Sequence, residues 1–237
     1  FFFNAHNGFL EEIAKFRAAR EIWASIMKTR FKVTNEKALK CRFHVQTGGS
    51  TLTAQQPQNN IVRTTIQALS AVLGGAQSIH TNSYDEALGL PTEEAAKIAL
   101  RTQQLIANET NLVKFVDPLF GSDIIETLTE KYILKVNEIL EEIDQIGGAV
   151  KAIEDGYMQK NISQTAYEYQ KSIDNNSTLI VGLNCHEEED VEIDLQQINA
   201  QSINDQIKKL KKIKKNRDIA SATKRLEELK TAAESES

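Results

Sequence analysis

Residues 43–86 alternate between strand-like and helix-like patterns in a way that few folds accommodate. A β-like run at 41–46 leads into a turn at 47–50 that contains Gly48 and Gly49. After a polar connector, apolar residues recur at helical spacing over 61–73, and a second β-like run follows at 76–81. A strand, a helix and a strand in this order predict parallel strands in an α/β fold.

The residues before this stretch extend the same pattern. Residues 1–6 are β-like, and Asn7 and Gly8 indicate a turn. Apolar residues at helical spacing then predict a helix over 9–27, with Glu11 and Glu12 in its first turn, where the helix dipole favours acids. We therefore expect three strands, each followed by a helix, in the first part of the chain.

The later part of the sequence is predominantly helical. The apolar spacing predicts helices at 92–108, 124–146, 149–154 and 162–173. Residues 178–182 are apolar and predict a last short strand. From about residue 200 the pattern is again helical, and lysines are interleaved with the apolar positions. We expect an α/β region at 1–183, a linker at 184–200 and an amphipathic helical segment at 201–233.

Composition excludes several classes of function. The net charge of −5 argues against general nucleic-acid binding, and the lysine run at 208–215 is typical of a solvated helix face. No apolar stretch approaches the ~18 residues that a membrane span needs. The chain has two cysteines, Cys41 and Cys185, which favours a reducing compartment and a cytoplasmic location. The four histidines lack the spacing of metal ligands, so we expect no metal site.

Neutral amide side chains are concentrated around the predicted strands. They are Gln46, Gln55, Gln56, Asn59, Asn60, Gln77 and Asn82. From the residues alone, Gln46 and Gln77 could either satisfy backbone groups in a core or line a cavity. His44 and His80 occupy predicted strands and leave the same two interpretations open.

Several ordered motifs resemble one known family. The opening segment is FFFNAHNGFLEEIAKFRAAREIW, and it is followed by HVQT, LTAQQPQNN, GGAQSIHTN and DEALGLPTEEA. In this order the motifs resemble the large chain of the adenosylcobalamin-dependent acyl-CoA mutases, of which methylmalonyl-CoA mutase is the best-known member. The resemblance covers roughly residues 1–184.

The resemblance implies a fold and a set of partners. It implies the C-terminal part of a TIM (β/α)8 barrel, about strands six to eight, followed by helices. The complete barrel would enclose the acyl-CoA substrate along its axis. The DxHxxG pattern associated with cobalamin binding is absent from this sequence. We therefore expect the N-terminal part of the barrel and a cobalamin-binding domain or subunit as partners, in an oligomeric assembly.

The resemblance also implies roles for five residues. Gln46, Gln77 and His44 match positions that face the substrate and deoxyadenosyl cavity. Asn82 and Glu86 match a pair beside the ribose of the cofactor. No residue is assigned as a catalytic acid or base, because radical chemistry needs positioned groups rather than a titrating side chain.

The implied function is part of an intramolecular transferase. Such an enzyme rearranges the carbon skeleton of an acyl-CoA, as between methylmalonyl-CoA and succinyl-CoA, by a 5'-deoxyadenosyl radical mechanism. Isobutyryl-CoA and 2-hydroxyisobutyryl-CoA remain open as alternative substrates. A noncatalytic chain that scaffolds partner subunits is the alternative from a different class. In either case we expect this chain to be inactive by itself.

Overall fold

The computed structural model describes residues 1–189, 195–197 and 199–235. These residues divide into two compact units whose boundary falls between Leu195 and Gln196. The predicted linker at 184–200 lies partly outside the described residues. Its assignment and the other predicted domain boundaries stay predictions.

The first unit contains a sheet of three parallel strands, which confirms the predicted α/β class. The strands are β1 (Phe2–Ala5), β2 (His44–Thr47) and β3 (Ser78–His80), and they lie side by side in chain order. The register aligns Asn4 with Gln46 and Gln46 with His80. All three carboxyl ends therefore meet at one edge of the sheet.

Helices account for most of both units. Those of the first unit are α1 (Phe9–Thr29), α2 (Asn59–Leu73), α3 (Glu93–Glu109), α4 (Asp123–Ile146), α5 (Ala149–Glu154) and α6 (Tyr157–Asp174). Those of the second unit are α7 (Ala200–Lys215) and α8 (Ile219–Glu234). Most predicted helices agree with these bounds to within two residues. Thr92 caps α3 as predicted, since its side chain accepts from the backbone N–H of Ala95.

Two predicted elements need correction. Helix α6 begins at Tyr157 rather than at residue 162, because Gly156 adopts a left-handed conformation with φ 77° and starts the helix directly after α5. The strand predicted at 178–182 does not form. There the Asn184 amide accepts from the backbone N–H of Ile180 at 2.7 Å and donates to the carbonyl of Thr178 at 2.9 Å. These bonds fold the segment into a loop despite its apolar residues.

One face of the sheet packs against the helices and forms the core. Phe43 directly before β2, Val45 of β2 and Ala5 of β1 point to this side, where they pack with Phe16 of α1 and Ala71 of α2. The rings of Phe16 and Phe43 stack with centroids 5.3 Å apart. Because side chains alternate along a strand, this packing commits the intervening residues to the other face.

That other face, called the open face below, carries six strand residues. They are Phe2, Asn4, His44, Gln46, Ser78 and His80, and each is exposed or half-buried. Phe2 is 65% exposed, although its ring lies 4.8 Å from the His44 ring. A parallel sheet is normally covered on both faces. Among the described residues, the helical layer covers only one.

Within the described residues, no helix combines the length and the apolar character needed to cross a bilayer.

Candidate functional site

Three polar side chains converge at the carboxyl edge of the sheet. Gln46 lies in β2, while Asn82 and Glu86 follow β3. The Gln46 amide Nε2 donates to Oδ1 of Asn82 at 3.1 Å. We call these three residues the strand-end cluster. The structure thus brings together three of the five residues to which the resemblance assigned roles.

The glycine turn after β2 gives the cluster its shape. A Cβ atom on Gly49 would lie 3.3 Å from Nδ2 of Asn82 and 3.3 Å from Oε1 of Glu86. A Cβ on Gly48 would lie 3.2 Å from Oδ1 of Asn4. All three distances are tighter than most real contacts of a Cβ atom, so glycine leaves a concave space that the amides and the carboxylate border.

Asn4 is a polar neighbour that the sequence interpretation missed. It lies on β1 in register with Gln46 and on the same open face. Its amide oxygen approaches Gly48 from the β1 side. The period-two pattern of β1, with Phe3 and Ala5 turned to the core, was the signal that could have identified it.

Asn82 is an orienting residue as well as a candidate contact. It is 2% exposed, and its Nδ2 donates to the Thr47 carbonyl at 3.0 Å. Its backbone N–H donates to the Thr47 hydroxyl at 3.0 Å. The Asn82 amide is therefore held in one orientation, with Oδ1 accepting from Gln46. Among the described residues, Oε1 of Gln46 has no partner and is free to accept from a ligand.

Glu86 presents a carboxylate with no hydrogen-bond partner among the described residues. Burial raises its pKa above the ordinary value, and the neighbouring Asp85 adds to that shift while His80 opposes it. The side chain borders a cleft of about 220 Å³ that is also lined by His80, Ser83 and Gln103. Because its two oxygens have no partner among the described residues, the ionised carboxylate can accept two hydrogen bonds from a diol.

His44 lies on the open face, two residues before Gln46 on β2. Its Nδ1 is 2.7 Å from the hydroxyl of Ser78 on the neighbouring strand. The ring therefore lies between Phe2 of β1 and Ser78 of β3. This position is compatible with a side chain that lines a cavity on the open face.

Gln77 lies apart from the strand-end cluster, and its place in the substrate and deoxyadenosyl cavity stays a prediction. It precedes β3, so the length of the strand separates it from Asn82 and Glu86. Its Oε1 accepts from the backbone N–H of Phe43 at 2.7 Å, and its Nε2 donates to the Gly75 carbonyl at 2.9 Å. It borders a cleft of about 270 Å³ beside α2 and α3. The sequence places Gln77 at the start of the predicted strand, and the structure shows that its side chain binds backbone groups there.

The described residues contain no group of three or more His, Cys, Asp or Glu side chains that could hold a metal ion. The site is instead a set of neutral amides with one carboxylate. Such a set can orient a polar ligand through hydrogen bonds without adding much charge.

The whole chain is similar to known proteins of one family. A family model described as methylmalonyl-CoA mutase matches residues 1–237. The large subunit of 2-hydroxyisobutanoyl-CoA mutase from Aquincola tertiaricarbonis is 46% identical over 239 residues, and the match covers 100% of this chain and 42% of that protein.

Two other relatives are named for the family itself. Mitochondrial methylmalonyl-CoA mutase from Bos taurus is 43% identical, with 99% of this chain and 32% of that protein covered. Methylmalonyl-CoA mutase from Escherichia coli K12 is 42% identical, with 99% of this chain and 33% of that protein covered. The chain therefore spans less than half the length of each of these relatives.

Proposed function

The chain belongs to the methylmalonyl-CoA mutase family, and on that basis we propose that it forms part of an adenosylcobalamin-dependent acyl-CoA isomerase. It would supply about strands six to eight of a substrate-binding TIM barrel. The open face of the sheet would be part of the barrel's inner wall. The strand-end cluster would lie at the mouth of the barrel.

The shape of the sheet supports this proposal. Three parallel strands have helices on one face, while the opposite face carries exposed side chains such as Phe2 and His80. Closing the sheet with further strands would enclose the open face. Active sites of such barrels form at the carboxyl ends of the strands, which is where Gln46, Asn82 and Glu86 converge.

The residues at this edge fit the cofactor that the family uses. A ribose presents two adjacent hydroxyl groups, and the Glu86 carboxylate has no competing partner among the described residues. The space next to Gly49, which a Cβ atom would fill, lies between Asn82 and Glu86. We infer that Glu86 accepts from the sugar hydroxyls and that Asn82 holds Gln46 toward the same ligand.

The protein's role in the chemistry would be to position and shelter the reactants. When bound, adenosylcobalamin supplies an organic radical that removes a hydrogen atom from the acyl group. Gln46 would orient the reacting groups by hydrogen bonds. Its neutrality is suited to this task, because a charged or titrating side chain would add a proton-transfer route that the rearrangement does not use. His44, beside it on β2, would line the same wall.

Partners follow from the same argument. The remaining strands of the barrel must come from an N-terminal part, and cobalamin must be held mainly by another domain or subunit. The relative from Aquincola tertiaricarbonis is named as a large subunit, which is consistent with such a division. Family membership does not favour the alternative of a noncatalytic scaffold.

The convergence of Gln46, Asn82 and Glu86 at one strand edge carries this proposal. It is tested by combining the chain with the N-terminal barrel part and a cobalamin-binding partner. Isomerisation would be assayed with methylmalonyl-CoA and with 2-hydroxyisobutyryl-CoA, and binding of adenosylcobalamin would be followed by its absorption spectrum. We expect turnover of one acyl-CoA in the complete mixture and none when this chain is left out. A complete mixture that binds cofactor and both acyl-CoAs without turnover would contradict the proposal.

A further inference from the structure

We propose that Asn60 and Gln67, two buried amides on α2, are positioning residues that hold the loops carrying the strand-end cluster. The inference rests on the proposed function, since it concerns the arrangement of that same site. Neither residue reaches the open face, so each would act through the loops that it binds.

Both residues lie on the row of α2 that faces the sheet. They are seven residues apart, which corresponds to about two helical turns and places them on one side of the helix. Asn60 is 0% exposed and Gln67 is 1% exposed. A helix that connects two parallel strands runs back along the sheet, so the N-terminal part of α2, as far as Gln67, lies beside the carboxyl ends of the strands. Ala68 and Ala71 lie further along this side of α2, where they are buried in the core.

Gln67 joins the loops that follow β1 and β2. Its Oε1 accepts from the backbone N–H of Gly48 at 2.9 Å. Its Nε2 donates to Oδ1 of Asn7 at 2.7 Å and to the hydroxyl of Thr51 at 2.7 Å. Through these bonds one buried amide sets the position of the glycine turn relative to the end of β1.

Asn60 joins the loops that follow β2 and β3. Its Nδ2 donates to the Thr53 carbonyl at 2.8 Å and to the Tyr84 carbonyl at 2.9 Å. Its Oδ1 accepts from the backbone N–H of Thr53 at 3.2 Å. Tyr84 lies midway between Asn82 and Glu86 in the sequence, so this bond fixes the loop from which both side chains project.

The two amides thus connect all three loops at the site to one rigid helix. The site depends on close spacing, because a Cβ atom on Gly49 would lie only 3.3 Å from the Asn82 amide and 3.3 Å from the Glu86 carboxylate. A shift of either loop would change the distance between the Gln46 amide and the Glu86 carboxylate. Misplacement by about 1 Å can reduce turnover by about 100-fold when geometry limits the rate.

Thr51→Val is the least disruptive test. It removes the hydroxyl that accepts from Gln67 and donates to the Gly48 carbonyl at 2.6 Å, while nearly preserving side-chain volume. Thr51→Ser retains the hydroxyl as the conservative rescue. Asn60→Asp is the stronger variant, because a carboxylate cannot donate to the carbonyls of Thr53 and Tyr84. Asn59→Asp is its matched control, since the adjacent Asn59 donates to the Gln56 side chain and reaches neither the β1 loop nor the β3 loop.

Each variant would be measured in the complete assembly by steady-state kinetics and by amide hydrogen exchange. We expect Thr51→Val and Asn60→Asp to lower kcat by about 10- to 100-fold, with KM for the acyl-CoA changed by less than a factor of about three, as expected when only transition-state geometry is lost. Exchange should accelerate at 48–53 in the first variant and at 48–53 and 81–86 in the second. Thr51→Ser and Asn59→Asp should match the parent protein in both measurements.

The two readouts separate this inference from the proposed function. If the parent assembly shows no turnover, the proposed function fails, and hydrogen exchange still decides whether the amides hold the loops. Unchanged loop exchange and unchanged kcat in Thr51→Val would overturn the inference. It would also be overturned if Thr51→Val and Thr51→Ser lost kcat equally, or if exchange rose uniformly along the chain, because either result indicates a general loss of stability.

Discussion

The side-chain amide of Gln46 donates a hydrogen bond of 3.1 Å to Oδ1 of Asn82 and so joins the end of β2 to the loop that follows β3. The side chain of Asn82 in turn donates to the carbonyl of Thr47 in β2 at 3.0 Å. Two strands are therefore joined at their carboxyl ends by side chains as well as by the backbone ladder. This pair gives the site a fixed amide orientation before any ligand binds.

Replacing Asn82 should test the energetic value of this pair. Asn82→Ala leaves the Gln46 amide and the buried Thr47 carbonyl without their partner, so we expect the free energy of unfolding to fall by about 1–3 kcal/mol. Urea denaturation of the chain measures the change. A double-mutant cycle with Gln46→Ala should give a coupling of about 0.5 kcal/mol or more.

Asn108→Ala is a suitable control for that experiment, because Asn108 is exposed on α3 and, within the described part of the chain, its side chain donates only to the Gln104 carbonyl. It should change stability by less than about 0.5 kcal/mol. Equal stability of Asn82→Ala and the parent chain would show that the pair contributes nothing to the fold.

Glu86 should couple ligand binding to pH. Since burial raises its pKa, the carboxylate becomes protonated at a higher pH than an ordinary Glu. Affinity for adenosylcobalamin in the complete assembly should fall as the pH decreases through that raised pKa. Glu86→Gln should weaken binding and abolish this pH step, whereas Glu86→Ala should weaken binding with the fold intact. A titration in which Glu86→Gln keeps the step would assign it to another group.

The raised pKa of Glu86 also affects the stability of the fold, and a decrease in pH should change stability in the direction opposite to its effect on cofactor affinity. A carboxyl group whose folded pKa is raised stabilises the fold at low pH, and this contribution is lost as the pH rises through the folded pKa. The unfolding free energy of the parent chain relative to Glu86→Gln should therefore decrease as the pH rises from below the ordinary value of 4.5.

His6 should make the fold sensitive to acid. Burial lowers its pKa below the ordinary value of 6.5, and Lys15 adds to the shift while Glu12 opposes it. In the window between the lowered pKa and 6.5, the unfolded chain binds more protons than the folded one, so stability should fall as the pH decreases through this window. His6→Gln should remove that part of the pH dependence of urea unfolding. Parallel pH profiles for the two proteins would be inconsistent with a shifted histidine.

Two glycines provide a matched test of packing. A Cβ on Gly74 would lie 2.5 Å from Cδ2 of Phe16 and 3.0 Å from the Ser70 carbonyl, whereas a Cβ on Gly89 would have no neighbour within 4 Å. Gly74→Ala should destabilise the chain by about 1–3 kcal/mol, because the stacked core ring cannot move away freely. Gly89→Ala should be neutral or stabilising by up to about 1 kcal/mol. Thermal unfolding of both variants decides the point, and similar midpoints would refute the packing argument.

The isolated chain should associate through its open face and strand edges. Phe2 is 65% exposed on that face, and β1 and β3 are edge strands of the sheet. Analytical ultracentrifugation should show self-association that Phe2→Lys reduces, while the N-terminal barrel part should replace it. A cooperatively folding monomer at high concentration would contradict this prediction.

Local signals in the sequence predicted most of the helices and strands, because apolar spacing and helix capping involve residues that are close together in the chain. The apolar spacing of α2 and the stop at Gly74 set that helix to within two residues, and the acids and Thr92 at the start of α3 set its first turn. The strand predicted at 178–182 was wrong because a side chain outside the segment decides its structure. Their apolar composition favours a strand, but the Asn184 amide offers the backbone a different set of partners.

The candidate site was predictable only in part. Ordered motifs pointed to Gln46, Asn82 and Glu86, and the structure brings these three together. Gln77 belongs to the same motif as Asn82, but β3 runs between them, so the two side chains lie at opposite ends of that strand. Asn4 was not predicted as a site residue, because a single asparagine after three phenylalanines matches no recognisable motif.

The sequence by itself determined the α/β class, the order of the three strands and of the helices, and the family, since periodicity, capping and ordered motifs all act over short distances along the chain. The tertiary structure alone decided which amides meet, which bond to the backbone and which face of the sheet stays open. Those outcomes depend on strand register, which aligns residues about 30 to 40 positions apart and moves a side chain to the opposite face for each residue of shift.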